Sequence, residues 1–356
     1  MQYYLSVYLH DYKKGELTMK ANEVLRNLEK DNLMGELTTE TFNQIDALYP
    51  VKISEHIYNN FKTKPYNGVY KQFVPNPRET EDYDGVGAFF EDEKHLSSMV
   101  VKKYPNRCII YATSQCFAHC RHCSRKENWK ENMCYSKFEF DKALVTIAEH
   151  SEIEEVIITG GDVFTISPSN LEYMIKSLKE LSHIRVVRLG TRAFTACPSV
   201  VTEELCEVLK KYAPLIVSTQ FNHPDEFTTE TITAIKKVQE TGCCILNQST
   251  LLRDINDTYD VMKELLAKCT ENGVIPYYLF HCFKVRGAQC FRTPVKTGID
   301  IINQLVGNVG GWWIPRYTLI PHTTGIKIPV RPNGIITNNS DELALKDFLG
   351  RTIKYE

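Results

Sequence analysis

Arg107-Cys-Ile-Ile-Tyr-Ala112-Thr-Ser-Gln-Cys116-Phe-Ala-His-Cys120-Arg-His-Cys123 is the stretch on which the reading of this chain turns. Its first six residues form an apolar, β-rich run bounded by polar residues, and they read as a strand. Three cysteines follow at once, in the loop that leaves the strand's carboxyl end. Runs of the same kind recur downstream at Glu155–Thr159, Ile184–Leu189, Leu215–Gln220, Cys243–Asn247 and Val274–Phe280. Helical patterns alternate with them near Glu139–His150, Pro168–Leu181, Thr202–Tyr212, Thr228–Thr241, Thr258–Asn272 and Thr297–Val306. Six strands, each followed by a helix, predict an α/β chain built on a parallel sheet. Short continuous apolar runs suit strands covered on both faces. A doubly wound sheet and a curved, partly closed barrel both satisfy this pattern, and both place ligands at the carboxyl ends of the strands.

The cysteine spacing is three residues, then two. Three thiolates so close can ligate one iron–sulfur cluster. They supply one ligand too few for four irons, so one iron stays open, which suits catalysis rather than structure. A structural zinc site would need a fourth ligand, for which His119 and His122 are the candidates, but no second pair of cysteines or histidines follows at zinc spacing.

Composition bounds the rest. The chain has 356 residues, 43% hydrophobic and 24% charged, enough for a sizeable core, with a formal net charge of −2 that gives no global basic field for a polynucleotide. Twelve cysteines would suggest disulfides in a secreted protein. Met1 to His10 lacks a basic leader region and no stretch of 18 apolar residues occurs, so a cytoplasmic protein with reduced or metal-bound thiols, and no membrane partner, is expected. Cys108, Cys197, Cys206, Cys243 and Cys244 fall in apolar patterns and read as small buried hydrophobes. The expected division is an N-terminal extension over 1–95, a barrel over 96–310 and a C-terminal segment over 311–356. In the extension, helices are expected near Ala21–Asp31 and Thr39–Leu48, and Tyr66–Asp84 reads as an irregular loop.

The triplet after the first strand resembles the radical S-adenosylmethionine superfamily, whose members fold as partial (β/α)6 barrels. The second strand ends in Thr159-Gly-Gly-Asp162, similar to the superfamily turn that touches the amino group of S-adenosylmethionine; this implies roles for Gly160, Gly161 and Asp162. There, Cys116, Cys120 and Cys123 would hold a [4Fe–4S] cluster that cleaves S-adenosylmethionine to an adenosyl radical.

The chain further resembles the lysine 2,3-aminomutase family. The matching stretches are Lys103-Tyr-Pro-Asn-Arg107, Cys120-Arg-His-Cys-Ser-Arg125, Phe221-Asn-His-Pro224, Asn247 to Asp257, Pro276-Tyr-Tyr-Leu279, Phe291-Arg-Thr-Pro294 and Gly325-Ile-Lys-Ile-Pro-Val-Arg-Pro-Asn333. They run in order across about residues 85 to 350. The resemblance implies that Lys327 bonds covalently to pyridoxal 5'-phosphate. It implies that Lys103, Tyr104 and Arg107 hold the cofactor phosphate, although the family usually has arginine at the Lys103 position. It implies that Arg125 grips the substrate carboxylate. Apolar neighbours Ile326, Ile328 and Pro329 would help keep the lysine amine neutral. The implied activity is an isomerase that shifts an amino group from the α- to the β-carbon of an amino acid. The implied partners are a flavodoxin- or ferredoxin-type electron donor and further copies of the chain.

Two departures from lysine-specific members redirect the substrate. Those members bind the side-chain ammonium with two aspartates, and this chain has Phe283 and Ile320 there. Free lysine is therefore not the expected substrate, and an apolar or aromatic side chain is. A glutamate-like substrate stays open if Lys284 points into the pocket, and elimination or epimerisation stays open as another outcome. No cysteine follows Cys290, so the C-terminal zinc site of lysine-specific members is not expected. A non-catalytic cluster or zinc module is the rival from another class.

Overall fold

The computed structural model describes residues 18–81, 94–130, 133–321, 325–330, 335–339, 342–346 and 351–355. The six expected strands form as β4 (Arg107–Thr113), β5 (Glu155–Gly160), β6 (Val186–Gly190), β7 (Ile216–Thr219), β8 (Cys244–Leu251) and β9 (Ile275–His281). Each pairs in parallel with the next. A hairpin strand that the sequence pattern did not announce, β3 (Val100–Tyr104), runs antiparallel to β4 at one edge. At the other edge β10 (Arg316–Leu319) adds in parallel to β9, and β11 (Ile328–Pro329) turns back antiparallel to β10.

The helices α5 (Lys137–Ala148), α6 (Pro168–Lys179), α8 (Glu203–Lys211), α9 (Thr229–Glu240) and α10 (Tyr259–Glu271) connect these strands; a one-turn α7 (Ala193–Ala196) precedes α8, and α11 (Val295–Leu305) leads to β10. Each of the first five starts where a hydroxyl takes an otherwise orphaned backbone N–H: Ser136 for α5, Ser167 for α6, Thr202 for α8, Thr228 for α9 and Thr258 for α10.

The strand order is sequential, without the reversal a doubly wound sheet requires. The two sheet edges also meet: the Lys327 backbone N–H, beside β11, donates to the Tyr104 hydroxyl on β3 at 2.9 Å. A flat sheet of this width could not bring its edges together, so the fold is a curled, partial (β/α) barrel. Alternate residues face inward: Arg107, Ile109 and Tyr111 on β4, Ile157 and Thr159 on β5, Arg188 and Gly190 on β6, Gln248 and Thr250 on β8 all line one cavity. The intervening Ile110, Val156, Ile158, Val187 and Leu189 are buried against the helices and form the main core.

An N-terminal layer covers one end. It consists of the β1 (Thr18–Lys20) and β2 (Lys52–Ser54) ribbon with α1 (Ala21–Lys30), α2 (Thr39–Leu48), α3 (Glu55–Thr63) and α4 (Gly68–Phe73). Its own core includes Val24, Leu28, Phe42, Ile45, Ile53, Phe61 and Phe73, and continues into Ala118 of the cysteine loop and Ala196 of α7. Two expectations change here. Tyr66–Asp84 is not irregular: Asn67 caps α4 through the N–H groups of Val69 and Tyr70, and Pro77–Thr80 is a 3-10 turn closed by an Asn76–Glu79 capping box. Positions 82–84 lie outside the described residues. Cys244 is exposed, because it is the first residue of β8, before the strand enters the barrel; Cys108, Cys197 and Cys243 are buried and Cys206 is half-buried. A separate antiparallel sheet of β12 (Ile335–Asn339), β13 (Glu342–Lys346) and β14 (Thr352–Tyr355) lies near the C-terminus.

Candidate active site

The cysteine loop leaves the carboxyl end of β4 and is fixed mainly by the N-terminal layer. Lys52 Nζ donates to the Cys116 carbonyl at 2.6 Å, and the His119 N–H donates back to the Lys52 carbonyl at 2.8 Å. The Arg121 N–H bonds the Gln72 carbonyl at 2.8 Å. The Arg121 and Lys126 side chains converge on one fully enclosed carboxylate, Glu79, at 2.6 and 2.5 Å. Burial alone would raise the Glu79 carboxyl; the two cations outweigh it and hold it below the ordinary range. His119 and His122 serve the protein scaffold: His119 bonds the Pro50 carbonyl at 2.7 Å and stacks on Trp129, and His122 faces Asn222 at 3.2 Å.

The donor set suits a cluster. Burial, with Asp162 and the other two cysteines nearby, pushes the Cys116 thiol well above its usual range, and burial with Cys120 raises Cys123 to about 11. Such thiols ionise when a metal takes the proton's place. Among the described residues, no three His, Cys, Asp or Glu side chains gather tightly enough for a single metal ion.

The Gly160–Gly161 turn at the end of β5 is shaped by this same loop. Gly161 N donates to the Thr113 carbonyl at 2.6 Å and Asp162 N to the Gln115 carbonyl at 2.7 Å. A Cβ on Gly160 would stand 2.1 Å from the Thr113 oxygen, and one on Gly161 2.1 Å from the Gln115 oxygen; Gly160 also has φ +133°. Both glycines line the cavity. The Asp162 carboxylate does not: it is buried, accepting from Thr191 Oγ1 at 2.6 Å, Arg192 N at 2.7 Å and Phe164 N at 3.0 Å.

The cavity measures about 370 Å3 and gathers Cys123, Arg125, Lys103, Tyr104, Arg107, Phe283, Ile320 and Lys327 from widely separated parts of the chain. Lys327 Nζ sits 5.7, 5.5 and 5.8 Å from the rings of Tyr104, Tyr278 and Phe280. Burial, then the charges of Arg188, Arg107 and Lys103, lower its amine to about 8. The cause expected from sequence is corrected: Ile326 and Ile328 are exposed, and the apolar setting comes from aromatic residues of other strands. An amine this much easier to deprotonate than an ordinary lysine, with Lys103 and Arg107 beside it, is a chemically suitable holder for a pyridoxal phosphate. Arg125 lies flat on Tyr111, with its guanidinium carbon 3.6 Å from the ring centre. Phe283 packs near Phe280, with ring centres 6.1 Å apart.

Six cations line the cavity, namely Lys103, Arg107, Arg125, Arg188, Arg192 and Lys327, and no Asp or Glu does among the described residues. Lys284 and Arg286 are exposed and outside the lining, and Arg286 pairs with Glu127 at 3.3 Å. Sequence reasoning missed Arg188 and Arg192. Their signal was a charged residue at an inward position of an apolar strand and one just past its end.

Comparison with known proteins agrees with this geometry. Residues 105–226 match a family model described as a 4Fe-4S single cluster domain. The L-lysine 2,3-aminomutase of Methanococcus maripaludis is 33% identical over 322 residues, 89% of this chain and 74% of that protein. The L-lysine 2,3-aminomutase of Clostridium subterminale is 35% identical, covering 82% and 71%. The glutamate 2,3-aminomutase of Clostridioides difficile is 36% identical, covering 78% and 65%. With the cysteine loop, the partial barrel and these relatives in view, the chain belongs to the lysine 2,3-aminomutase-like family of the radical S-adenosylmethionine superfamily, isomerases that use a [4Fe–4S] cluster and S-adenosylmethionine.

Proposed function

We propose that this protein is a pyridoxal phosphate-dependent amino-acid 2,3-aminomutase that prefers α-amino acids with apolar or aromatic side chains. The observation that carries the reading is the cavity itself. It pairs a caged, weakly basic Lys327 and several cations with the apolar lining residues Phe283 and Ile320. In this assignment Cys116, Cys120 and Cys123 hold the cluster. Gly160 and Gly161 form the wall beside S-adenosylmethionine, with Asp162 bracing that wall from behind. Lys103, Tyr104 and Arg107 hold the phosphate.

Once bound, the cofactors supply the hydrogen-abstracting radical and the electron sink for nitrogen migration. The chain's own residues position and enclose. Arg125 offers a planar fork to the substrate carboxylate, and stacking on Tyr111 limits its swing. The Tyr104 hydroxyl pins the Lys327 backbone across the sheet seam. Phe280, Phe283 and Ile320 supply apolar lining for the substrate side chain in this assignment.

An ammonium side chain would meet no carboxylate among the described lining residues, at a cost of several kcal/mol. That argues against lysine. A glutamate side chain would have to draw on a cation already assigned to the phosphate, the carboxylate or the aldehyde, because Lys284 is exposed and outside the lining. The test is an anaerobic screen of the common α-amino acids with the reconstituted protein, products being read by mass spectrometry. β-Amino acids from leucine-, phenylalanine- or tyrosine-like substrates are expected. Lysine converted well above all others would reverse the assignment of Phe283 and Ile320; ammonia or D-amino acids as main products would replace the mutase reading.

A further inference from the structure

Arg192 stands just past β6 and is almost wholly buried. Its Nη1 lies 2.8 Å from the Cys120 sulfur. Its Nε and Nη2 groups are held by protein: Nε donates to the Gln220 carbonyl at 3.0 Å, and Nη2 to Gln72 Oε1 at 2.5 Å and Glu226 Oε2 at 3.1 Å. Glu226 is itself enclosed, accepting from Gln72 Nε2 at 2.9 Å, Asn222 N at 2.8 Å, His223 N at 2.9 Å and Thr195 Oγ1 at 2.7 Å. The guanidinium is thus aimed at one sulfur by contacts from α4, the turn after β6 and the loop after β7. A permanently charged donor held on a cluster sulfur favours the more negative, reduced cluster, because its attraction grows with the charge gained.

We propose that Arg192 sets the reduction potential of the cluster through its hydrogen bond to the Cys120 sulfur, with Gln72 and the Gln220 carbonyl as the acceptors that aim it. This rests on Cys120 being a cluster ligand. Arg192 acts through that ligand and is a positioning residue. Glu226, by its charge, opposes what Arg192 does.

The experiment is an anaerobic electrochemical titration of the reconstituted full-length protein, followed by the electron paramagnetic resonance of the reduced cluster. Arg192→Met shifts the reduction equilibrium at least tenfold toward the oxidised cluster, about 59 mV downward for one electron. Glu226→Gln shifts the potential upward, since it removes a neighbouring negative charge while Arg192 keeps its Gln72 and Gln220 acceptors. Opposite shifts distinguish a charge effect from loosened packing, which has no reason to change sign. An Arg192→Met protein with full iron content and an unmoved potential overturns the proposal. If that variant takes up no cluster, Glu226→Gln decides alone, and an unmoved or lowered potential there overturns it. Cys120→Ser tests the underlying assignment separately. A full, unchanged cluster in that variant would remove Cys120 as a ligand, whatever Arg192 does.

Discussion

The sharpest quantitative consequence of the cavity concerns the Lys327 amine. An ordinary lysine titrates at 10.5, and burial with three neighbouring cations brings this one to about 8. That difference makes the neutral amine on the order of a hundred times more abundant near neutral pH than on an exposed lysine. Competitive acetylation with a trace of neutral anhydride reads that abundance directly. The cofactor-free protein is labelled across pH 6 to 11, and the Lys327 peptide is compared by mass spectrometry with those of exposed lysines such as Lys142 and Lys296. Lys327 is expected to gain reactivity through a midpoint near pH 8. Arg188→Met, which removes the strongest of the neighbouring charges, raises that midpoint toward the ordinary lysine value. The same shift has a stability sign. Between about pH 8 and 10.5 the unfolded chain keeps a proton that the folded chain has released, so stability from this group rises with pH in that window alone. A Lys327 midpoint coincident with the exposed lysines, or one indifferent to Arg188, would refute the burial-and-charge account.

Glu79→Gln leaves Arg121 and Lys126 as enclosed cations with a weakened partner; a loss of about 3–5 kcal/mol is expected in anaerobic urea unfolding, and a loss under ~1 kcal/mol would mean that solvent reaches the cluster of charges. Gly161→Ala places a methyl 2.1 Å from the Gln115 oxygen, so the cysteine loop must shift; iron and sulfide analysis should show less than half of the wild-type cluster, and full occupancy would contradict the packing. Phe283→Asp with Ile320→Asp gives a lysine side chain a counter-ion. Charge-assisted pairing worth ~1.5–3 kcal/mol should raise kcat/KM for lysine at least tenfold while lowering it for apolar substrates, and unchanged preference would place the side-chain pocket elsewhere.

The repeating β/α units were legible because burial against the helices imposes apolar residues that any reader of periodicity can see. Observed strand ends fall within two residues of the expected ones except for β8, which runs on to Leu251 through the polar Gln248 and Thr250. Those residues break the apolar run because they face the cavity. Segments whose structure depends on partners distant in sequence were harder to read. Gly68 looks like a loop residue until α4 is seen to press on His223, where a Cβ would stand 2.2 Å from the ring. Asn67 was the available sign of a helix start. The surroundings of Lys327 were misread for the same reason: flanking isoleucines point to solvent, while the residues that bury the amine are Tyr104, Tyr278 and Phe280, up to 223 positions away by chain number yet joined across the barrel.

That dependence on distant residues gives the N-terminal layer a role in chemistry. In the partial barrel the cysteine loop is an exit from one strand and has little structure of its own. Lys52, Gln72 and Glu79 supply the contacts it lacks, and Gln72 also touches the arginine that reaches the Cys120 sulfur. Substitutions in α4 or the Asn76–Glu79 turn should therefore disturb cluster uptake before they disturb the barrel. Limited anaerobic unfolding tests this order. Loss of the cluster's visible absorbance at lower urea than loss of helical circular dichroism is expected in Gln72→Ala, with both transitions closer together in wild type. Coincident transitions in both proteins would mean that the barrel alone holds the loop.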